Sequence, residues 1–142
     1  MKNLIPLLSA IVICCALSSN KSLKAQCDTT AYYAQKYISE RFVSDGQSYR
    51  ALLYDDQIAE FHTTFYGGST YRIAGFSGME KNQLIFSLYD EEDNLLYSNE
   101  NHDNSPYWDL EFESTLHARI EAKLALVKQS SGCAVLLIGF ER

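Results

Sequence analysis

The segment YWDLEFE, residues 107–113, alternates without a fault: Trp108, Leu110 and Phe112 point one way, and Tyr107, Asp109, Glu111 and Glu113 the other. Such alternation describes a pleated strand with one face in an interior and one in water. It recurs in most segments beyond Gly46. QSYRALLYD and QIAEFHTTF flank a short Asp55, Asp56 turn, STYRIAGFS follows Gly67 and Gly68, and NQLIFSLYD leads through an acidic stretch to NLLYSN. TLHARIEAKLAL, within 115–127, suits either a strand or a helix, and its strand neighbours decide for a strand. The closing run CAVLLIGF reads as a central strand covered on both faces. Gly67–Gly68 and Ser130 to Gly132 read as hairpin turns.

One segment departs from this period. DTTAYYAQKYISERFVSDG predicts an amphipathic helix over about 29–44, with Thr29 or Thr30 as cap, Ala31, Ala34, Ile38 and Phe42 on one stripe, and Asp45–Gly46 as the stop. About eight short strands after one helix predict a mainly β fold, an antiparallel two-sheet β-sandwich.

Lys2, the apolar run from Leu4 to Leu17 and the small residue Ala25 have the layout of a secretory signal peptide. The expectation is therefore residues 1–25 as a leader and 26–142 as one domain, secreted or periplasmic. The run is shorter than the roughly 20 apolar residues that span a bilayer, so no stable membrane insertion is expected. Cleavage would remove Lys2, Lys21 and Lys24 and no acid, moving the formal charge of -6 three units further negative. An acidic surface repels phosphate backbones, which argues against nucleic acid as a partner.

Cleavage would also leave two cysteines, Cys27 and Cys133. In an oxidising compartment a disulfide between them is favoured over two buried thiols. It would fasten the beginning of the domain to its last strand.

From Tyr71 to Phe140 the order YRIAGF, LIFSLYDEEDNLLYSN, YWDLEFEST, IEAKL, CAVLLIGF resembles the jelly-roll modules called bacterial pre-peptidase C-terminal domains. The resemblance covers about half of the chain and rests on hydrophobic pattern. It implies a β-sandwich with a binding or accessory role and supplies no catalytic residues. Such modules usually accompany a secreted protease, whereas here the strands stand with one predicted helix.

Four consecutive acids, Asp90 to Asp93, stand between two apolar runs. A hairpin tip, where Asp and Asn tolerate turn geometry, is the favoured reading. The alternative is a shallow extracellular calcium site built from Asp90, Glu92, Asp93 and backbone carbonyls, although EF-hand spacing is absent. No other cofactor is suggested. Asp109, Glu111 and Glu113 read as a solvated stripe rather than a glycosidase pair, and Trp108 as core. His62, His102 and His117 share no metal-ligand spacing, and GGSTYR precedes a strand where a phosphate cradle would precede a helix.

Aromatic content gives the remaining functional hint. Tyr71, Tyr89, Tyr97 and Tyr107 are candidates for a contact surface, because a ring supplies apolar area and its hydroxyl a directional bond. The function expected is a non-catalytic binding or accessory module for protein or glycan partners. The alternatives are a small secreted hydrolase or isomerase with a dispersed site, and a structural subunit of an envelope assembly.

Overall fold

The computed structural model describes residues 20–38, 41–78, 80–125 and 131–142; the expected leader lies largely outside them. Among the described residues one α-helix, α1 (Asn20–Gln35), precedes eight strands: β1 (Phe42–Tyr54), β2 (Ile58–Phe65), β3 (Ser69–Ser77), β4 (Leu84–Tyr89), β5 (Leu95–Ser98), β6 (Tyr107–Phe112), β7 (Leu116–Leu124) and β8 (Ser131–Glu141). They form two four-stranded sheets with orders β1-β8-β3-β6 and β2-β7-β4-β5. Every pairing is antiparallel. The expected two-sheet antiparallel architecture is the observed one.

The inner faces interlock as the alternation requires. Ile73, Leu136 and Ile138 of one sheet meet Phe86, Leu88 and Ile120 of the other, with Trp108, Leu110 and Phe112 packed at the side. The ambiguous segment is strand β7, whose Ala118, Ile120, Ala122 and Leu124 all enter this interior. Gly75 permits close approach of the sheets: a Cβ there would stand 2.8 Å from the Phe86 ring and 3.0 Å from Leu136.

The helix is earlier than the sequence predicts. Lys21, Leu23, Lys24, Ala25 and Gln26 are all sound helix formers, and neither Gly nor Pro interrupts them. The helix thus extends back across residues 20–25, and Thr30, rather than capping it, lies inside and donates to the Gln26 carbonyl at 3.0 Å. It closes with short turns, Tyr37 N–H to Ala34 O and Ile38 N–H to Gln35 O. Phe42 and Val43, expected at its end, instead begin β1 opposite Glu141 and Phe140. Asp45–Gly46 is no helix stop but a bulge: the β1–β8 register shifts between Ser44 and Ser48, and Gly46 takes φ +80°.

A second, smaller core lies on the outer face of β8 and β3. Ala34 of α1 packs with Phe76, Cys133 and Val135, and Tyr33 and Tyr37 cover the edges. The Cys27–Cys133 disulfide, 2.05 Å between sulfurs, fastens α1 to β8 as expected. Arg72 reinforces the join. Its guanidinium takes Asp109 through two bonds of 2.6 and 2.7 Å, donates to the Tyr37 carbonyl at 3.1 Å, and lies 4.4 Å from the Phe42 and Tyr107 ring centres. β8 is thus covered on both faces, which its unbroken apolar sequence demands.

The turn expectations are corrected at two places. Gly67–Gly68 and the approach to β8 are not hairpins, because β2 and β3, and likewise β7 and β8, belong to opposite sheets. Gly67 is required by packing: a Cβ there would lie 2.7 Å from the Ser114 backbone, where the β2–β3 and β6–β7 connections touch. The Asp55, Asp56 turn also carries the chain between sheets, and residues 126–130 lie outside the described residues.

Candidate functional site

β4 and β5 are the consecutive strands that pair within one sheet, and the acidic stretch is the tip that joins them. Asp90 organises this tip. Its carboxylate accepts from the backbone of Glu92 and Asn94 at 2.9 and 2.8 Å and from the Asn94 amide at 2.9 Å. Those bonds, that from the Asn94 side chain foremost, hold its pKa below the ordinary aspartate value. Asp93, at φ 62°, turns its carboxylate to Arg119 at 2.7 Å. The tip's carboxylates therefore diverge, one into its own turn and one onto β7. Among the described residues, no group of three or more His, Cys, Asp or Glu side chains is placed to hold a metal ion.

Arg119 is the centre of the outer face of this sheet. Alternation along β7 sends His117, Arg119, Glu121 and Lys123 outward while their neighbours fill the interior. The Arg119 guanidinium lies 4.5 Å from the Tyr89 ring centre, bonds Asp93 and Glu121, and stands 4.0 Å from Glu60. Asp93 and Glu121 hold it firmly in the charged state. Lys123 reaches Glu100 at 3.5 Å, and His117 Nδ1 shares a 2.9 Å bond with the Thr64 hydroxyl. Beside Arg119 is a hollow of about 510 Å³ lined by His62, Thr64, Asp90, Asp93 and His117. A second, of about 320 Å³, lies over Ile58, Ile85 and Leu95.

This face is a set of mutually neutralised charges with apolar side chains at its margins. The Thr64–His117 contact pairs a hydroxyl with a base, but both groups are on the open sheet surface. Nucleophilic catalysis would need a third group to orient the imidazole and donors for an oxyanion.

The four tyrosines do not form a shared platform. Tyr71 is buried among Phe65 and Phe112, its hydroxyl accepting from the Tyr66 amide at 3.0 Å. Tyr97 is buried beside Trp108, ring centres 5.2 Å apart, and His102 from the turn Asn99–His102 lies 4.2 Å from Trp108. Tyr89 lies under Arg119, and Tyr107 packs on Tyr37 at the far side of the molecule. Tyr71 and Tyr97 thus pack into the interior, because their strands turn those positions inward.

Other rings are more exposed: Tyr32, Tyr54, Tyr66 and Phe140. Tyr66 and Phe140 line a groove of about 650 Å³ between the open edges of β1 and β2, with Tyr49, Thr63 and Tyr71. The polar alternation of HARIEAK was legible and marks the β7 face; nothing in the sequence singled out Arg119 as its hub. The exposed rings follow no sequence signal, since Tyr66 sits in a turn and Phe140 at a strand end.

No protein-family model and no curated protein sequence matches this chain. Among solved structures, it is similar in fold to PliG from Aeromonas hydrophila, a periplasmic lysozyme inhibitor of g-type lysozyme. The TM-score is 0.52 and the identity 10%, over 72% of this chain and 90% of that one. No described helix is long and apolar enough to cross a membrane.

Proposed function

We propose that this chain is an extracytoplasmic binding protein that acts by covering part of a protein partner, and that the partner is a cationic hydrolase of cell-wall glycan. The observation that carries this reading is the use of charge on the molecule. Arg72 on one sheet and Arg119 on the other are each held by carboxylates, while the chain as a whole bears an excess of acids. A chain with a net excess of acids steers toward a basic partner. A hydrolase acting on an anionic wall polymer carries such a basic surface by the same electrostatic logic.

The fold shared with a periplasmic lysozyme inhibitor supports the reading, as does a disulfide, which persists in oxidising compartments. The signal-like first 25 residues support export.

The test is titration of the purified disulfide-bonded protein into lysis assays with g-type, c-type and i-type lysozymes, with binding followed by calorimetry. Saturable loss of lytic rate, weakening with added salt, is the expected result. The reading fails if no cationic wall hydrolase binds. It fails equally if the protein itself turns over a wall substrate and Thr64→Val or His117→Ala abolishes that turnover, which would establish the hydrolase alternative.

A further inference from the structure

The two sheets leave four strand edges open: β1, β6, β2 and β5. An open edge is a row of unpaired backbone donors and acceptors, and proteins blunt edges by bulges, charges, proline or shortness. Three are blunted here. β1 has the Ser44–Ser48 bulge, β5 is four residues long, and β6 follows Pro106 and carries Asp109 and Glu111.

β2 has none of these devices beyond one carboxylate. It pairs with β7 in unbroken register over all eight residues, from Ile58 opposite Lys123 to Phe65 opposite Leu116. It contains no proline, lysine or glycine. Exposed apolar side chains stand at its two ends: Ile58, its first residue, at 53% exposure, and Tyr66, just beyond its last, at 65%, with Phe140 on the groove beside Tyr66. A straight edge bordered by apolar surface is built for strand addition.

The geometry points to a second copy of this chain as the occupant, its β2 antiparallel to this one about a two-fold axis through Phe61. The sequence IAEFHTTF is self-complementary in that register. Glu60 faces the copy's His62 twice over on the outer face, Ala59 faces Thr63 on the inner face, and Ile58 faces Thr64. A register centred on His62 would set imidazole against imidazole and strand Glu60 opposite Thr64. Glu60 is available for this contact: it is exposed and stands 4.0 Å from Arg119, which Asp93 and Glu121 already engage more closely. The result is one eight-stranded sheet running through both copies. This inference is independent of the partner hydrolase.

The experiment is sedimentation velocity of the purified disulfide-bonded protein from about 1 μM to about 500 μM, the range that resolves a modest dimer. It is repeated with Glu60→His, His62→Glu and the double exchange Glu60→His/His62→Glu. Wild type is expected to pass from monomer to dimer. His62→Glu sets two like-charged pairs across the axis and should weaken the dimer about tenfold. The double exchange restores both unlike pairs and should return the constant to within about threefold of wild type. All three changes lie on the solvent face, and Trp108 fluorescence melting verifies that each variant folds. A monomer at every concentration overturns the proposal, including one whose β2 edge proves to hold the hydrolase. So does a dimer indifferent to His62→Glu, or one that the double exchange fails to restore.

Discussion

Reducing the Cys27–Cys133 disulfide removes the covalent link between α1 and β8, and the size of the effect follows from where the cysteines stand. The bridge spans 106 residues of sequence, so in the chain-entropy treatment it denies the unfolded chain about 5 kcal/mol of loop freedom. Measured bridges deliver roughly 2 to 4 kcal/mol, because unfolded chains retain structure. A second effect adds to this. A helix of sixteen residues or fewer is marginal in isolation, and α1 docks through a small core of Ala34, Phe76, Cys133 and Val135. With the tether cut, α1 should open locally before the sandwich does. Trp108, the only tryptophan, reports on the main core, and the assay is urea unfolding by its fluorescence with and without reductant, joined to amide exchange. The stability should fall by about 2 to 5 kcal/mol, and α1 amides should exchange faster than those of β8. If thiol titration finds both cysteines reduced while the unfolding free energy moves by less than about 0.5 kcal/mol, the bridge does not restrain the unfolded chain as argued.

Three further outcomes follow from single positions. Asn99 is fully buried, accepts from Phe86 N–H at 2.8 Å and donates to the Leu84 and Ser105 carbonyls at 3.0 and 2.9 Å. Asn99→Ala orphans these groups and should cost about 3 kcal/mol by urea unfolding, and a loss under about 1 would contradict the network's role. Gly75→Ala drives a methyl into Phe86 and should cost about 1 to 3 kcal/mol, whereas a neutral effect would mean that the sheets separate freely. Burial pushes the Tyr97 pKa up to about 12, and among the described residues its hydroxyl has no partner. In the unfolded chain it ionises near 10, so its share of stability is whole below about pH 10 and is lost as pH rises through about 12. Phenolate absorbance should show a tyrosine titrating late, removed by Tyr97→Phe; its absence from the wild-type curve would sink the assignment.

The acidic tip shows how far local chemistry reaches. Asp90 to Asn94 had to turn the chain, since the residues on both sides alternate and Asp and Asn tolerate the required backbone, and the turn joins paired strands β4 and β5. Where Asp93 points was not legible, because Arg119 is 26 residues away and meets it only when β7 lies beside β4. The same limit governs the tyrosines. The face of β3 opposite Tyr71 carries Ala74 and Phe76 as well as Thr70 and Arg72, and the β4–β5 register shifts beside Tyr97, so period alone did not say which side was inner.

What the sequence determined by itself is the set of strands, the turn at the acids, the cysteines available to pair and the double coverage of β8, because each depends on neighbours within one segment. Tertiary structure alone decided which strands share a sheet, how early α1 begins and ends, that Asp45–Gly46 bends a strand, and which charges meet on Arg119. Alternation states that a strand has an inside; only the filling of a common interior by eight such strands states against whom it lies.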